Sequence, residues 1–228
     1  RGAQLVATWA EPWPPEALER AAAGFARIRE RPGPAALAGF GSAKGSNEEA
    51  FLFQKLVRTG FGSNNVDHCT RLCHASSVAA LLEGIGSGAV TAPFTAAAQA
   101  DVIIVIGANP TDAHPVFASR MKRRLRQGAK LIVIDPRRTD LVRSPHIEAD
   151  FHLPLRPGTN VAVLTALAHV IVTEGLADEA FIRERCDWDE YQDWARFVAE
   201  ERHSPEVLEA VTRVPAETLR AAARLFAT

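Results

Sequence analysis

Two short, wholly apolar runs constrain this chain more than any other feature. Val102-Ile-Ile-Val-Ile106 lies between Asp101 and Gly107, and Leu131-Ile-Val-Ile134 lies between Lys130 and Asp135. Neither run alternates apolar with polar residues, so each strand must be covered on both faces, as in a parallel sheet flanked by helices. Between them, residues 115–127 follow helical spacing, with a basic face of Arg120, Lys122, Arg123, Arg124 and Arg126 and a stop at Gly128. Strand, helix and strand in that order make a parallel βαβ unit. A third short strand is expected at residues 149–153, ahead of Arg156-Pro-Gly-Thr159.

The flanking sequence adds elements on both sides. Pro12, Pro14 and Pro15 exclude a helix before residue 15. From there to residue 31, Leu18, Ala21, Ala22, Phe25 and Ile28 recur at helical spacing, and Pro32-Gly33-Pro34 ends the helix. Residues 37–40 read as a short buried strand and residues 47–59 as a helix, capped by Ser46 or Asn47 with Glu48 and Glu49 in its first turn. Residues 64–67 read as a turn or short strand. Ser76 or Ser77 is expected to cap the Ala- and Leu-rich helix that follows. After Thr159 the chain reads as a succession of helices, over residues 159–174, 179–185, 189–200, 204–211 and 215–226.

Composition narrows the function. Lys and Arg number 26 against 27 Asp and Glu, a net charge of −1, whereas a nucleic-acid binder shows a basic excess. No apolar run approaches the roughly 20 residues needed to cross a bilayer. Three cysteines are too few for a disulfide framework or a complete four-cysteine iron–sulfur site, and they suggest a reducing compartment. The chain starts at Arg1 and its sole methionine is Met121, so it reads as a fragment or a processed form.

Three places can carry chemistry. Ligands of open α/β sheets bind beyond the carboxyl ends of the strands. Here those ends are Gly107-Ala108-Asn109, with Asp112 and His114 close behind, and Asp135-Pro136-Arg137-Arg138. Gly107 permits close backbone approach, Asp135 can accept from a sugar hydroxyl or a base N–H, and the arginines suit phosphates. No GxGxxG fingerprint is present, so a structural βαβ unit and a nucleotide site remain open. The second place is the loop through Arg156, Gly158, Thr159 and Asn160, where Thr159 can cap the next helix or its N-terminus can receive an anion. The third is His68-Cys69-Thr-Arg-Leu-Cys73-His74. A cysteine beside basic groups and ahead of a helix favours the thiolate, a soft metal ligand or nucleophile. A small buried cysteine or a zinc site would use the same residues, although no second ligand pair follows. His169, on an apolar helix face, reads as a core histidine.

Taken together, these segments resemble the molybdopterin oxidoreductase superfamily and, within it, the catalytic subunits of formate dehydrogenases. The matching stretches are Gly41-Ser-Ala-Lys-Gly-Ser-Asn-Glu-Glu49, Gln54-Lys55, Asn64-Asn-Val-Asp-His-Cys-Thr-Arg-Leu-Cys-His74, Gly86-Ser-Gly88, Val105-Ile-Gly-Ala-Asn109, His114-Pro115, Ile134-Asp-Pro-Arg137 and Leu153-Pro-Leu-Arg-Pro-Gly-Thr159. Cys73-His74 favours formate dehydrogenases, because related nitrate reductases usually have Met after the Cys. Two positions depart from the family. Asn160 stands where Asp is common, and Arg213 replaces a frequent Gly, which reads as a surface change.

The resemblance implies an α/β fold. Residues 1–66 would be part of a discontinuous α/β domain, and residues 67–228 a three-layer Rossmann-like domain with a parallel sheet and a helical C-terminal part. It implies Cys73 as ligand to molybdenum or tungsten, with His74 moving a proton after formate oxidation. The metal would be held by two pterin guanine dinucleotides. One would lie along Ile106, Gly107, Ala108, Asn109, Asp112 and His114, the Ile134, Asp135, Pro136 and Arg137 turn, and the Arg156, Gly158, Thr159 and Asn160 loop, with Cys69 near the pterin. The 4Fe-4S cluster, the second pterin site and the substrate arginine are expected outside this chain. Expected partners are the rest of the catalytic subunit and electron-transfer subunits carrying iron–sulfur, flavin or NAD, in the cytoplasm or alternatively the periplasm. A nitrate reductase, a non-catalytic superfamily member and a stand-alone nucleotide-binding module are the competing readings.

Overall fold

Helical spacing begins directly after Pro14, and α1 follows it over Pro15–Glu30 with Pro15 in its first turn. The computed structural model describes residues 14–228, so the stretch before Pro14 lies outside the described residues. Strand β1 is Gly39–Gly41, and α2 runs over Asn47–Lys55. Ser46 caps α2 in a full capping box: its hydroxyl accepts from Glu49 N, and Glu49 Oε2 accepts from Ser46 N at 2.6 Å. The helix then widens into a π-helical turn, Leu56–Phe61, and Gly62 closes it at φ 74°. Strand β2 is Val66–His68, and two helices follow, α3 over Thr70–Cys73 and α4 over Ala75–Ile85. The expected serine cap of α4 is not formed. His74 holds the N-cap position without a side-chain bond, and Ser76 and Ser77 fall inside the first turn.

β1 and β2 pair in parallel, with Gly39 opposite Val66 and Gly41 opposite His68. The core beneath them is small, built on Leu37 and Val57. A Cβ on Gly39 would sit 2.5 Å from Val57 Cγ2 and 2.8 Å from Phe53 Cζ, so glycine is needed there for space. The buried Ser63 hydroxyl donates to Leu37 O and accepts from Asn65 N, fixing the approach to β2. These elements form one compact unit, up to Thr91, and the chain from Ala92 forms a second. The expected division at 66/67 runs through β2.

In the second unit the apolar runs become β3, Val102–Ile106, and β4, Lys130–Ile134. Between them lie a four-residue turn of helix, α5 over Pro110–Ala113, and α6 over Pro115–Leu125. A small antiparallel hairpin follows, β5 Arg143–Ser144 with β6 Ile147–Glu148, and then β7, Phe151–Leu153. The main sheet has the order β3-β4-β7, all parallel. Five helices complete the chain: α7 Asn160–Thr173, α8 Glu179–Arg185, α9 Trp188–Val198, α10 Pro205–Thr212 and α11 Ala216–Ala227.

Both faces of the sheet are covered, as the unbroken apolar runs require. Ile103, Val105, Leu131 and Val133 face Met121 of α6 together with Leu141 and Ile147. Ile132, Ile134 and Leu153 face Val163, Ala166 and Val170 of α7 and Leu219, Ala222 and Ala223 of α11. Successive side chains of β4 thus serve opposite cores. The fold is mixed α/β with parallel sheets, as expected. His169 is buried within this helical layer with Nδ1 2.9 Å from Val198 O, as a core histidine should be. One reading is corrected. Arg213 is more than a surface change, because it closes α10 with φ 63°.

Candidate functional site

The strand-end candidates gather at one edge of the second unit. β3 and β4 are in register, with Ile106 opposite Ile134, and both stop together. Gly107 N still donates to Ile134 O at 2.9 Å, which holds the two following loops side by side. Gly107 then turns out of the sheet at φ 58°, a conformation that costs glycine little. Asn109 is fixed from both ends of its amide: Nδ2 donates to Asp112 Oδ2 at 2.7 Å, and Oδ1 accepts from the Thr111 hydroxyl. Ala108 and His114 are exposed beside it.

Asp135 is engaged by its own turn. It is buried, at 2% exposure, and its Oδ1 accepts from Arg137 N at 2.7 Å. His152 Nε2 lies 2.9 Å from its carbonyl oxygen. The carboxylate therefore shapes the turn through Pro136 and leaves Arg137 and Arg138 exposed. Thr139, one residue further on, keeps a buried hydroxyl oxygen with no hydrogen-bond partner among the described residues.

The third loop is also built from within. Arg156 N donates to Thr212 O at 2.8 Å, tying the loop to the end of α10. Thr159 stands at the N-cap of α7 but does not cap it. Its hydroxyl donates to Arg156 O at 2.6 Å, so the first N–H groups of α7 receive no side-chain partner. Gly158 is left-handed at φ 86°, and Arg156 and Asn160 are exposed. Sequence reasoning missed Thr111, Thr139, His152 and Thr212. No local pattern marks them, since each acts across a turn or between elements.

The thiol candidates lie in the first unit. Cys69 precedes α3, Cys73 ends it, and His74 is the single residue between α3 and α4. Cys69, Cys73 and Cys186 are all free and exposed, so the buried-cysteine reading does not describe them. Arg71, the nearest basic residue in sequence, is engaged by Asp67 at 2.8 Å. Hydrogen bonds from Arg71 and from His68 N hold the Asp67 carboxyl below its ordinary value. Among the described residues no three His, Cys, Asp or Glu side chains gather as a metal cage. Nor is any described helix long and apolar enough to cross a membrane.

The order and spacing of these parts can be matched to known proteins. The family model described as molybdopterin oxidoreductase matches residues 7–219. Formate dehydrogenase H of Escherichia coli is 38% identical over 93% of this chain and 29% of its own length. The alpha subunit of a Methanococcus maripaludis formate dehydrogenase is 40% identical over 85% of this chain and 27% of its own. The periplasmic nitrate reductase of Desulfovibrio desulfuricans is 34% identical over 93% of this chain and 28% of its own. Among solved structures, acetylene hydratase from Pelobacter acetylenicus superimposes with a TM-score of 0.65 at 26% identity, over 93% of this chain and 28% of that one. The chain thus spans less than a third of the length of these relatives. With the family model covering almost all of its residues, the chain belongs to the molybdopterin oxidoreductase family.

Proposed function

We propose that this chain is the metal-ligand segment of a formate dehydrogenase catalytic subunit. The observation that carries the reading is the exposed Cys73 thiol, presented at the end of α3 with His74 directly behind it. A lone, accessible thiolate suits a soft metal whose other ligands come from a cofactor. The family implies a molybdenum or tungsten pterin cofactor, and we take it to be the bis-pterin guanine dinucleotide form. The residues fit such a group. Arg137, Arg138 and Arg156 are exposed on loops at the carboxyl edge of the sheet, and α7 begins with unfilled N–H groups, an arrangement that suits a pyrophosphate. Ile106, Gly107, Ala108, Asn109, Asp112, His114, Ile134, Asp135, Pro136, Gly158, Thr159 and Asn160 would form or support the walls, and Cys69 would lie near the pterin.

Oxidation of formate gives carbon dioxide, one proton and two electrons. The metal held there would supply a two-electron acceptor. Cys73 Sγ would anchor it. The His74 imidazole would take the proton at a ring nitrogen that can accept it. Electrons would leave through a 4Fe-4S cluster and partner subunits carrying iron–sulfur, flavin or NAD. Relatives named as alpha subunits support such partners. Free cysteines support a cytoplasmic setting.

A nitrate reductase is the second reading, favoured by the 34% identity to that relative. His74 in place of the usual Met speaks for formate. Metal and pterin analysis of the full-length subunit, with turnover measured on formate and on nitrate, separates the readings. Molybdenum or tungsten with formate turnover supports the proposal. Metal with nitrate turnover alone would replace it with the second reading, and no metal would defeat both.

A further inference from the structure

We infer that His68 is a positioning residue for Cys73 and His74, acting as a hydrogen-bond acceptor at Nδ1 that pins the one-turn helix carrying the thiol. The inference rests on the proposed role of Cys73 and adds the group that aims it.

α3 has four residues, Thr70–Cys73, and a helix that short has little stability of its own. Its N-cap residue, Cys69, makes no side-chain capping bond. The cap comes from one residue earlier. His68 Nδ1 accepts from Thr70 N at 3.2 Å and lies 2.7 Å from Thr70 Oγ1. A peptide N–H can only donate, so Nδ1 must carry its lone pair, and the ring proton belongs on Nε2. The Thr70 hydroxyl then donates to the same nitrogen.

Thr70 passes the restraint on. Its carbonyl accepts from His74 N at 3.1 Å, and Cys73 N donates to Cys69 O at 3.0 Å. Fixing Thr70 therefore fixes the backbone of both proposed functional residues. The imidazole is itself held. His68 pairs with Gly41 across the parallel β1–β2 ladder, and its Cδ2 lies 3.4 Å from where a Gly41 Cβ would be. Its backbone N donates to Asp67 Oδ1 at 2.8 Å, while Asp67 Oδ2 takes Arg71 Nε at 2.8 Å. Two adjacent side chains of β2 thus reach into α3, one to its first residue and one to its second.

The test uses the difference between the two ring nitrogens. Asn places an acceptor near the Nδ1 position, Gln places its amide near Nε2, and Phe keeps the ring shape with no acceptor. In the full chain, amide hydrogen exchange is followed at Cys73 and His74, together with the rate at which iodoacetamide alkylates Cys73. Loss of one such hydrogen bond should speed exchange about fivefold. His68→Phe and His68→Gln are expected to speed exchange at both amides and to change the Cys73 alkylation rate, while His68→Asn stays near wild type. Amides of β3 and β4 and alkylation of Cys186 serve as controls. If His68→Phe also disturbs the controls, the Gln and Asn variants decide. Wild-type protection in His68→Gln, or equal loss in His68→Asn and His68→Gln, would overturn the inference. None of these readouts needs metal or formate. Failure here with formate turnover intact sinks the His68 role alone, and absence of metal with the Asn rescue intact sinks the proposed function alone.

Discussion

Arg213 is the one described non-glycine residue in the left-handed region, at φ 63°, where a Cβ is strained. It closes α10 beside Thr212, whose carbonyl holds Arg156 N and whose hydroxyl accepts from Val214 N at 3.2 Å. Its side chain is exposed, so little is lost by removing it. Relief of about 1–2 kcal/mol of left-handed strain, less about 0.5–1 kcal/mol of added chain freedom in the unfolded state, leaves Arg213→Gly stabilising the second unit by about 1 kcal/mol or less, seen as a raised unfolding midpoint in urea at unchanged slope. A lowered midpoint would show that the arginine side chain contributes more than its backbone costs. Gly39 is the opposite case. With Val57 and Phe53 already within 2.8 Å of a Cβ, Gly39→Ala should destabilise the first unit by about 1–3 kcal/mol, and wild-type stability would mean that the β1–β2 layer gives way freely. The sequence marked Arg213 only as a departure from the family. Its backbone conformation depends on how α10 ends against the Arg156 loop, which no local pattern encodes.

The element that ties the helical layer together is a cluster of charges. Glu174, at the end of α7, bridges Arg224 at 2.6 Å and Arg220 at 3.1 Å on α11. Arg220 also grips Glu206 of α10 through two bonds of 2.8 Å. The bond from Arg224 holds the Glu174 carboxyl below its ordinary 4.5, and the bond from Arg220 does the same for Glu206. A depressed folded-state value means the stabilisation is complete above the ordinary value and is lost as pH falls through the lower, folded one. Thermal midpoints measured from pH 7 to pH 3 should therefore fall below about 4.5, and Glu174→Gln should shrink that acid loss. An unchanged acid profile in the variant would remove Glu174 from the account. On the sheet side, Met121 is fully buried between α6 and β4, and Met121→Ala should cost about 2–5 kcal/mol. A loss below 1 kcal/mol in denaturant unfolding would mean that the core refills the space.

The elements that sequence could show were those with a strong local cause. Unbroken apolar runs gave β3 and β4, and a side-chain acceptor ahead of a helical pattern gave the capped start at Ser46. One-turn helices such as α3 and α5 lack the length for periodicity, and the two-residue strands β5 and β6 cannot alternate, so none of them was legible. The α4 start was misread because serine beside a helix usually caps it. Here the chain reaches α4 directly from α3 through His74, leaving no extended residue for a serine cap. The site followed the same division. Strand ends and the His68 to His74 segment could be named from sequence, whereas the supports at His152 and Thr212 depend on neighbours brought close by folding, and the bonds of Thr111 and His68 to residues two positions away depend on the local turn.

At the scale of the whole molecule, the chain supplies two prepared pieces. The first unit presents an exposed thiol with a histidine behind it, and the second presents three loops at the carboxyl edge of a parallel sheet. Each piece belongs to a family whose members here are more than three times longer, so the proposed chemistry has to be tested in the full-length subunit. The most direct measurement is formate-dependent dye reduction by that subunit and by its Cys73→Ala variant, with molybdenum and tungsten quantified in the same samples. The account predicts metal-bearing wild-type protein that turns over formate and a folded variant in which formate turnover is abolished. Formate turnover retained by the variant would contradict it.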